Sequence, residues 1–201
     1  LLSGFAHIRL IGDPEQARAF ARVIVAQTAA LHAPEEVMVA LCLGGEAAGE
    51  WEWMKWLPHV QHPTEQDAAG QARLVADSAD GLERMLGQSF SERPRWEPGA
   101  TPTREEPFVL ILRDGGRVPP GSRFVTGGYR NAVVLDINGD QVAAPKGALV
   151  LEVGDDDLMM VTHNAVDQEV RTWLATPDRL DTARARTIAL LLSPYRLSVA
   201  T

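Results

Sequence analysis

The opening of the chain constrains its fold most. An apolar run, Phe5 to Ile11, leads into Gly12-Asp13-Pro14-Glu15-Gln16. Phe20, Val23, Ile24, Gln27, Ala30 and Leu31 then recur at helical spacing, and a second apolar run, Glu36 to Leu43, follows Pro34. The helix start is well marked: Asp13 suits the cap, Pro14 the first helical position, and Gln16 could complete a capping box. Strand, helix and strand in this order predict a right-handed parallel crossover, because parallel neighbours need a long connection.

The remaining elements fit an α/β plan. Glu46 to Pro58 carries Trp51, Trp53 and Trp56; on a helix Trp53, Trp56 and Leu57 share one face while Trp51 and Met54 share another. With two apolar faces, the segment is expected to be buried or docked. Arg73 to Ala76 reads as a short strand. The helix after it starts near Ser78, carries Leu82, Met85, Leu86 and Phe90, and ends before Pro94. Residues 91 to 107, with four prolines, read as an extended surface connection. Phe108 to Leu112 is the strongest buried strand, and Asn131 to Ile137 is another, ending in an Asn138-Gly139 turn signal. Ala148 to Val153 and Leu158 to His163 predict a hairpin around Gly154-Asp155-Asp156-Asp157. Leu180 to Leu192 predicts a last helix, capped by Asp181 and stopped by Pro194. The reading is one domain over residues 1–201: a mostly parallel sheet flanked by helices, with a C-terminal β-hairpin and helix.

Composition narrows the function classes. At 201 residues and 45% hydrophobic, the chain is long enough to bury a core without disulfides or metal. A net charge of −8 argues against duplex DNA as a partner. The single cysteine, Cys42, lies within the run Met38 to Leu43 and suits a reducing compartment. No stretch of about 18 apolar residues predicts a membrane span. No signal peptide is evident, and Leu1-Leu2-Ser3-Gly4 reads as a cut inside a longer chain. Only Lys55 and Lys146 are lysines, against 17 arginines.

A glycine turn between a first strand and a long helix is where a phosphate-binding loop would sit. That chemistry needs G-x-x-x-x-G-K-[ST]. Here the slot reads Gly12-Asp13-Pro14-Glu15-Gln16-Ala17-Arg18, without the second glycine, the lysine or the hydroxyl. Neither lysine elsewhere is followed by Ser or Thr. A helix N-terminus attracts phosphate through free amides and a positive dipole end. Asp13 would occupy one amide, Pro14 has none, and Glu15 adds negative charge. A carboxylate about 4 Å from a phosphate is repelled by roughly 4 kcal/mol at a surface-like dielectric, on the order of a thousandfold in affinity. The loop is degenerate.

Other candidate chemistry is thin. Asp114, at the end of the strongest strand, sits where ATPases place a magnesium-holding acid, but Gly115 takes the position of the water-activating glutamate. Asp114 equally suits the start of a Gly-Gly turn. His59 and His62, with Asp67, lack further zinc ligands at useful spacing, and Asp155-Asp156-Asp157 lacks a calcium-loop pattern. No G-x-S-x-G elbow is present, and Cys42 reads as an inert core thiol. Neither a metal site nor catalysis is expected.

The stretch Trp51-Glu52-Trp53-Met54-Lys55-Trp56-Leu57-Pro58-His59 resembles the W-x-W-x-K-W-L-P-H signature of EccC-type proteins, the FtsK/SpoIIIE-related motor ATPases of actinobacterial type VII (ESX) secretion. The resemblance extends to Glu92-Arg93-Pro94-Arg95, Pro107 to Gly116, Pro119 to Arg123, the Arg171 region and Pro194-Tyr195-Arg196, nearly the whole chain. It implies a P-loop-NTPase-like (RecA/FtsK-like) sheet with a degenerate phosphate loop, Gly12 to Gln16, and a Walker-B-like Asp114. It further implies the membrane-proximal cytoplasmic domain of an inner-membrane-anchored chain, whose downstream domains use ATP and Mg²⁺ while this one is expected to bind no cofactor. Implied partners are other domains and subunits of the ESX membrane complex, and WXG100-type substrates through the parent machine, with no nucleic acid. Trp51, Trp53 and Trp56 are the candidate partner contacts, with core packing as the alternative. A weak or regulatory ATP site, with Arg18, Arg113 or Arg117 replacing the lysine, is the competing reading.

Overall fold

Eight strands form one sheet, in which six consecutive strands, running out to one edge, pair in parallel. The computed structural model describes residues 2–68, 70–137, 144–145 and 147–195. Strand β1 (His7–Gly12) leads through helix α1 (Pro14–Leu31) to β2 (Val37–Leu43). A hairpin of β3 (Gln61–Asp67) and β4 (Gly70–Arg73) precedes the two-residue β5 (Val75–Ala76) and helices α2 (Ala79–Leu86) and α3 (Gln88–Ser91). Then come β6 (Phe108–Asp114), β7 (Ala132–Ile137), β8 (Leu149–Val153), β9 (Leu158–His163), β10 (Glu169–Ala175) and α4 (Thr182–Leu192). The sheet order is β10-β9-β8-β1-β7-β6-β2-β5, with β9 and β10 antiparallel. This is a P-loop-NTPase-like α/β sheet. One strand, β7, separates the glycine turn after β1 from the acid at the end of β6.

Two apolar layers sandwich the sheet. On one face Leu10, Leu41, Leu112 and Leu135 pack against α1, α4 and the Trp-rich segment. On the other, Ala40, Val109, Ile111 and Val134 meet Leu82, Phe90, Phe124 and Tyr129. The α1 seam differs from the expected one. Ala17, Ala21, Val25 and Ala29 face the sheet, Phe20 and Ile24 flank it half-buried, and Leu31 is 77% exposed. Small side chains spaced four apart let the helix axis approach the sheet closely, and the larger residues then fill the sides.

Other departures are local. The Trp-rich segment, Ala48–Trp56, is a 3₁₀ helix, so residues three apart stack. Gly87, at φ +82, splits the predicted second helix into α2 and α3. The β3–β4 hairpin was not expected, and the predicted hairpin of β8 and β9 gains a third strand, β10. The predicted cap of α4 is present: the Asp181 carboxylate accepts from the Arg184 amide at 2.8 Å. The Asn138-Gly139 turn signal lies outside the described residues. Among the described residues no helix is long and apolar enough to cross a membrane.

Candidate functional site

The carboxyl ends of β1, β2, β6 and β8 converge at one end of the sheet, the place where parallel α/β sheets bind ligands. Asp114 closes β6 there with its side chain 7% exposed. Arg18, one turn into α1, grips it with two hydrogen bonds, Nε to Oδ2 at 2.8 Å and Nη2 to Oδ1 at 3.2 Å. The Trp51 ring N–H donates to the same Oδ2 at 2.8 Å. A planar guanidinium matched to a carboxylate is the strongest common ion-pair geometry, and the indole satisfies a further lone pair. The Asp114 hydrogen bond pushes the Arg18 guanidinium above its ordinary range.

A second guanidinium lies beside the first. Arg22 is fully buried, donates to Glu15 at 2.9 Å and to Glu50 at 2.6 Å, and sits 5.8 Å from the centre of the Trp51 ring. Glu15, Arg18 and Arg22 are spaced three and four apart on α1, a charged stripe that runs from the exposed Glu15 to the buried Arg22. That spacing was readable, but the larger apolar residues drew the period onto another face. Trp53 is buried 6.4 Å from Trp51, ring to ring, whereas Trp56 is half-buried at the rim under the Lys55 ammonium. Burial of Trp51 and Trp53 leaves Trp56 as the member of the trio that reaches the surface.

The turn before α1 is filled by its own side chains. The Asp13 carboxylate accepts from the amides of Glu15 and Gln16 at 3.0 and 3.1 Å, as a capping residue should. The expected reciprocal bond from Gln16 does not form; its amide donates across the gap to Asp155 at 2.8 Å. The longer reach wins because β8 returns directly beside β1. Gly12, at φ +108, is obligatory there: a Cβ would sit 2.7 Å from the Val153 carbonyl oxygen. A cleft of about 590 Å³ borders the turn, and among the described residues Asp13, Glu152, Asp155 and Asp157 line it with Arg171 as its one cation.

No protein-family model matches the chain. Comparison with characterised proteins is decisive instead. The ESX secretion system protein EccC of Thermomonospora curvata is 36% identical over 200 residues, 99% of this chain. The ESX-3 secretion system protein EccC3 of Mycobacterium tuberculosis is 34% identical over 167 residues, 83% of this chain. The chain belongs to the EccC family. It spans 15% of the length of the Thermomonospora protein and 12% of the mycobacterial one.

An EccC-type ATPase fold implies a triphosphate and Mg²⁺ at this end of the sheet, and the residues present do not fit them. Two of the first amides of α1 are taken by Asp13, Pro14 offers none, and four carboxylates line the adjoining cleft. Asp114 already accepts three hydrogen bonds from Arg18 and Trp51, which compete with a metal for its lone pairs. The arginines considered as lysine substitutes are all engaged: Arg18 with Asp114, Arg113 with Asp136 at 3.2 Å, and Arg117 with Asp77 at 2.6 Å. Among the described residues no group of three potential ligands could hold a metal ion.

The histidines make other contacts, and Cys42, next to last in β2, lies under the opposite apolar layer of the sheet. His59 Nε2 bonds the His32 carbonyl at 2.8 Å and His62 Nε2 the Met85 carbonyl at 2.9 Å, so each ties its segment to the C-terminal end of a helix. Burial pushes the Cys42 thiol up to about 11, far from a reactive thiolate. Burial also holds the His7 and His59 imidazoles below their ordinary 6.5. The folded chain therefore binds fewer protons than the unfolded one as pH falls below that value, and stability is lost downward from about 6.5. The slope is at most about 1.4 kcal/mol per pH unit for each histidine. Denaturant unfolding at pH 7.5, 6.5 and 5.5 should show this loss, and His59→Gln should flatten it; equal slopes in both proteins would contradict the assignment.

Proposed function

We propose that this chain is a non-catalytic cytoplasmic coupling domain of an ESX secretion ATPase, linking the membrane complex to downstream FtsK-like motor domains. The observation that carries the reading is the Arg18–Asp114–Trp51 cluster, which spends the one acid a nucleotide site would need on holding α1, β6 and the Trp-rich segment together. A domain built this way keeps the shape of an ATPase and transmits position rather than turning over fuel. Its partners are other domains and subunits of the ESX machine, with WXG100-type substrates passing through the parent assembly. Trp56, at the rim beside Lys55, is the aromatic best placed to meet a partner.

Calorimetric titration of the chain with ATP and Mg²⁺ tests the proposal. No saturable heat is expected below millimolar nucleotide. Micromolar binding, weakened by Asp114→Ala, would establish the regulatory nucleotide site instead.

A further inference from the structure

Helix α4 reverses the usual order of a surface helix. It buries its small residues, Ala185 and Ala189, and turns large ones outward, with Leu190 42% and Leu191 69% exposed. Tyr195, just beyond its end, is 71% exposed. Ala183, Thr187, Leu190 and Leu191 share the outward face, opposite the two buried alanines. Surface helices normally present polar groups to water, and large apolar side chains grouped there mark a contact surface. The packing beneath explains the alanines. They meet the apolar layer that holds Trp51 and Trp53, and small side chains let α4 lie close on α1 and the Trp-rich segment. Leu180 and Leu192 flank that layer, whereas Leu190 and Leu191 point away from it.

We propose that the outward face of α4 seats the first motor domain of the parent protein, which lays an apolar patch of its own over Leu190, Leu191 and Tyr195. The inference rests on the proposed coupling role, in which FtsK-like domains are joined to the chain beyond α4. The chain spans 15% and 12% of two EccC relatives, so most of the surface that a family member has to lay here lies outside it. The exposed guanidiniums of Arg184 and Arg186 flank the leucines, so the facing surface has an apolar centre ringed by hydrogen-bond acceptors. Two leucines and a tyrosine make a patch far smaller than free proteins need for a stable interface. Tethering in one chain supplies an effective concentration on the order of millimolar, at which a weak contact holds. That difference favours the tethered domain over a second copy of this chain as the occupant. A motor domain docked there bears on the helix whose entry Arg22 holds through the Leu180 carbonyl, at 3.5 Å.

Maleimide labelling of the full-length parent protein, read at each site by peptide mass spectrometry, tests this. Thr187→Cys places a thiol between the two leucines without removing either, and the native Cys42 is buried and contributes no background. Position 187 is expected to react about tenfold more slowly in the full-length protein than in one truncated after this domain, as a contact held mostly closed requires. Val166→Cys, in the exposed turn between β9 and β10, should react equally in both. Adding Leu190→Lys/Leu191→Lys should return the full-length rate at position 187 to within about threefold of the truncated one. Equal rates at position 187 in the two proteins overturn the proposal. So does protection that survives truncation or that rises with protein concentration, because an upstream segment or a second copy would then be the occupant. The nucleotide titration is a separate measurement: micromolar ATP binding overturns the non-catalytic role and leaves a protected Thr187→Cys as support for the contact, while equal labelling removes the contact alone.

Discussion

Trp51→Ala should lower the unfolding free energy by about 4 kcal/mol, and the melting temperature by roughly 10 °C, in a chain of this size. The ring is 2% exposed and packs between Arg22 and Trp53, so truncation leaves a cavity that a backbone anchored in the sheet cannot close. The same change removes the N–H that satisfies Asp114, leaving Arg18 alone to compensate a buried carboxylate. Trp51→Phe separates the two effects: it keeps most of the volume and loses the hydrogen bond, for an expected cost of about 1–2 kcal/mol. Guanidinium unfolding of the three proteins measures the series. A loss under about 1 kcal/mol for Trp51→Ala would show that the ring is not a core member. The result bears on function, because a secretion defect from this variant would report a weakened fold rather than a lost docking contact. A secretion assay on a variant of the rim residue Trp56 is the cleaner probe of docking.

What could be read from the sequence was what local chemistry decides. The Asp13-Pro14 start of α1, the Asp181 cap of α4, the crossover from β1 to β2 and the buried run of β6 all follow from neighbours within a few residues, and they stand in the structure. The α1 seam was misread because hydrophobicity favours Phe20, Ile24 and Leu31, while close helix–sheet packing favours alanine. Strand β10 was missed because its residues are almost all exposed, so no alternation of buried and exposed positions marks it. The site was half legible. The absence of a phosphate loop needed only Gly12 to Arg18. The engagement of Asp114 needed Arg18, 96 residues away, and Trp51, 63 residues away, partners that only the sheet order brings together.

Arg22 is the member of that arrangement with the least obvious role and the second large expected effect. Its side chain is fully buried, yet both its carboxylate partners reach water: Glu50 is 38% and Glu15 62% exposed. Charge pairing with solvated carboxylates is worth little. The stem and guanidinium, however, fill space beside Trp51 and donate to the Leu180 carbonyl, where the chain enters α4. If packing dominates, Arg22→Ala should cost about 3 kcal/mol, and Arg22→Met, which restores most of the volume without the charge, should recover more than half of that. If the ion pairs dominate, both variants should lose the same amount, and the loss should shrink in high salt. Urea unfolding at low and high ionic strength distinguishes the cases. The packing outcome is expected because a buried guanidinium flanked by an indole ring and a helix backbone acts as a spacer. It holds α1, α4 and the Trp-rich segment at one separation, and that fixed separation is what a domain needs if it is to pass mechanical position from one side of the sheet to the other.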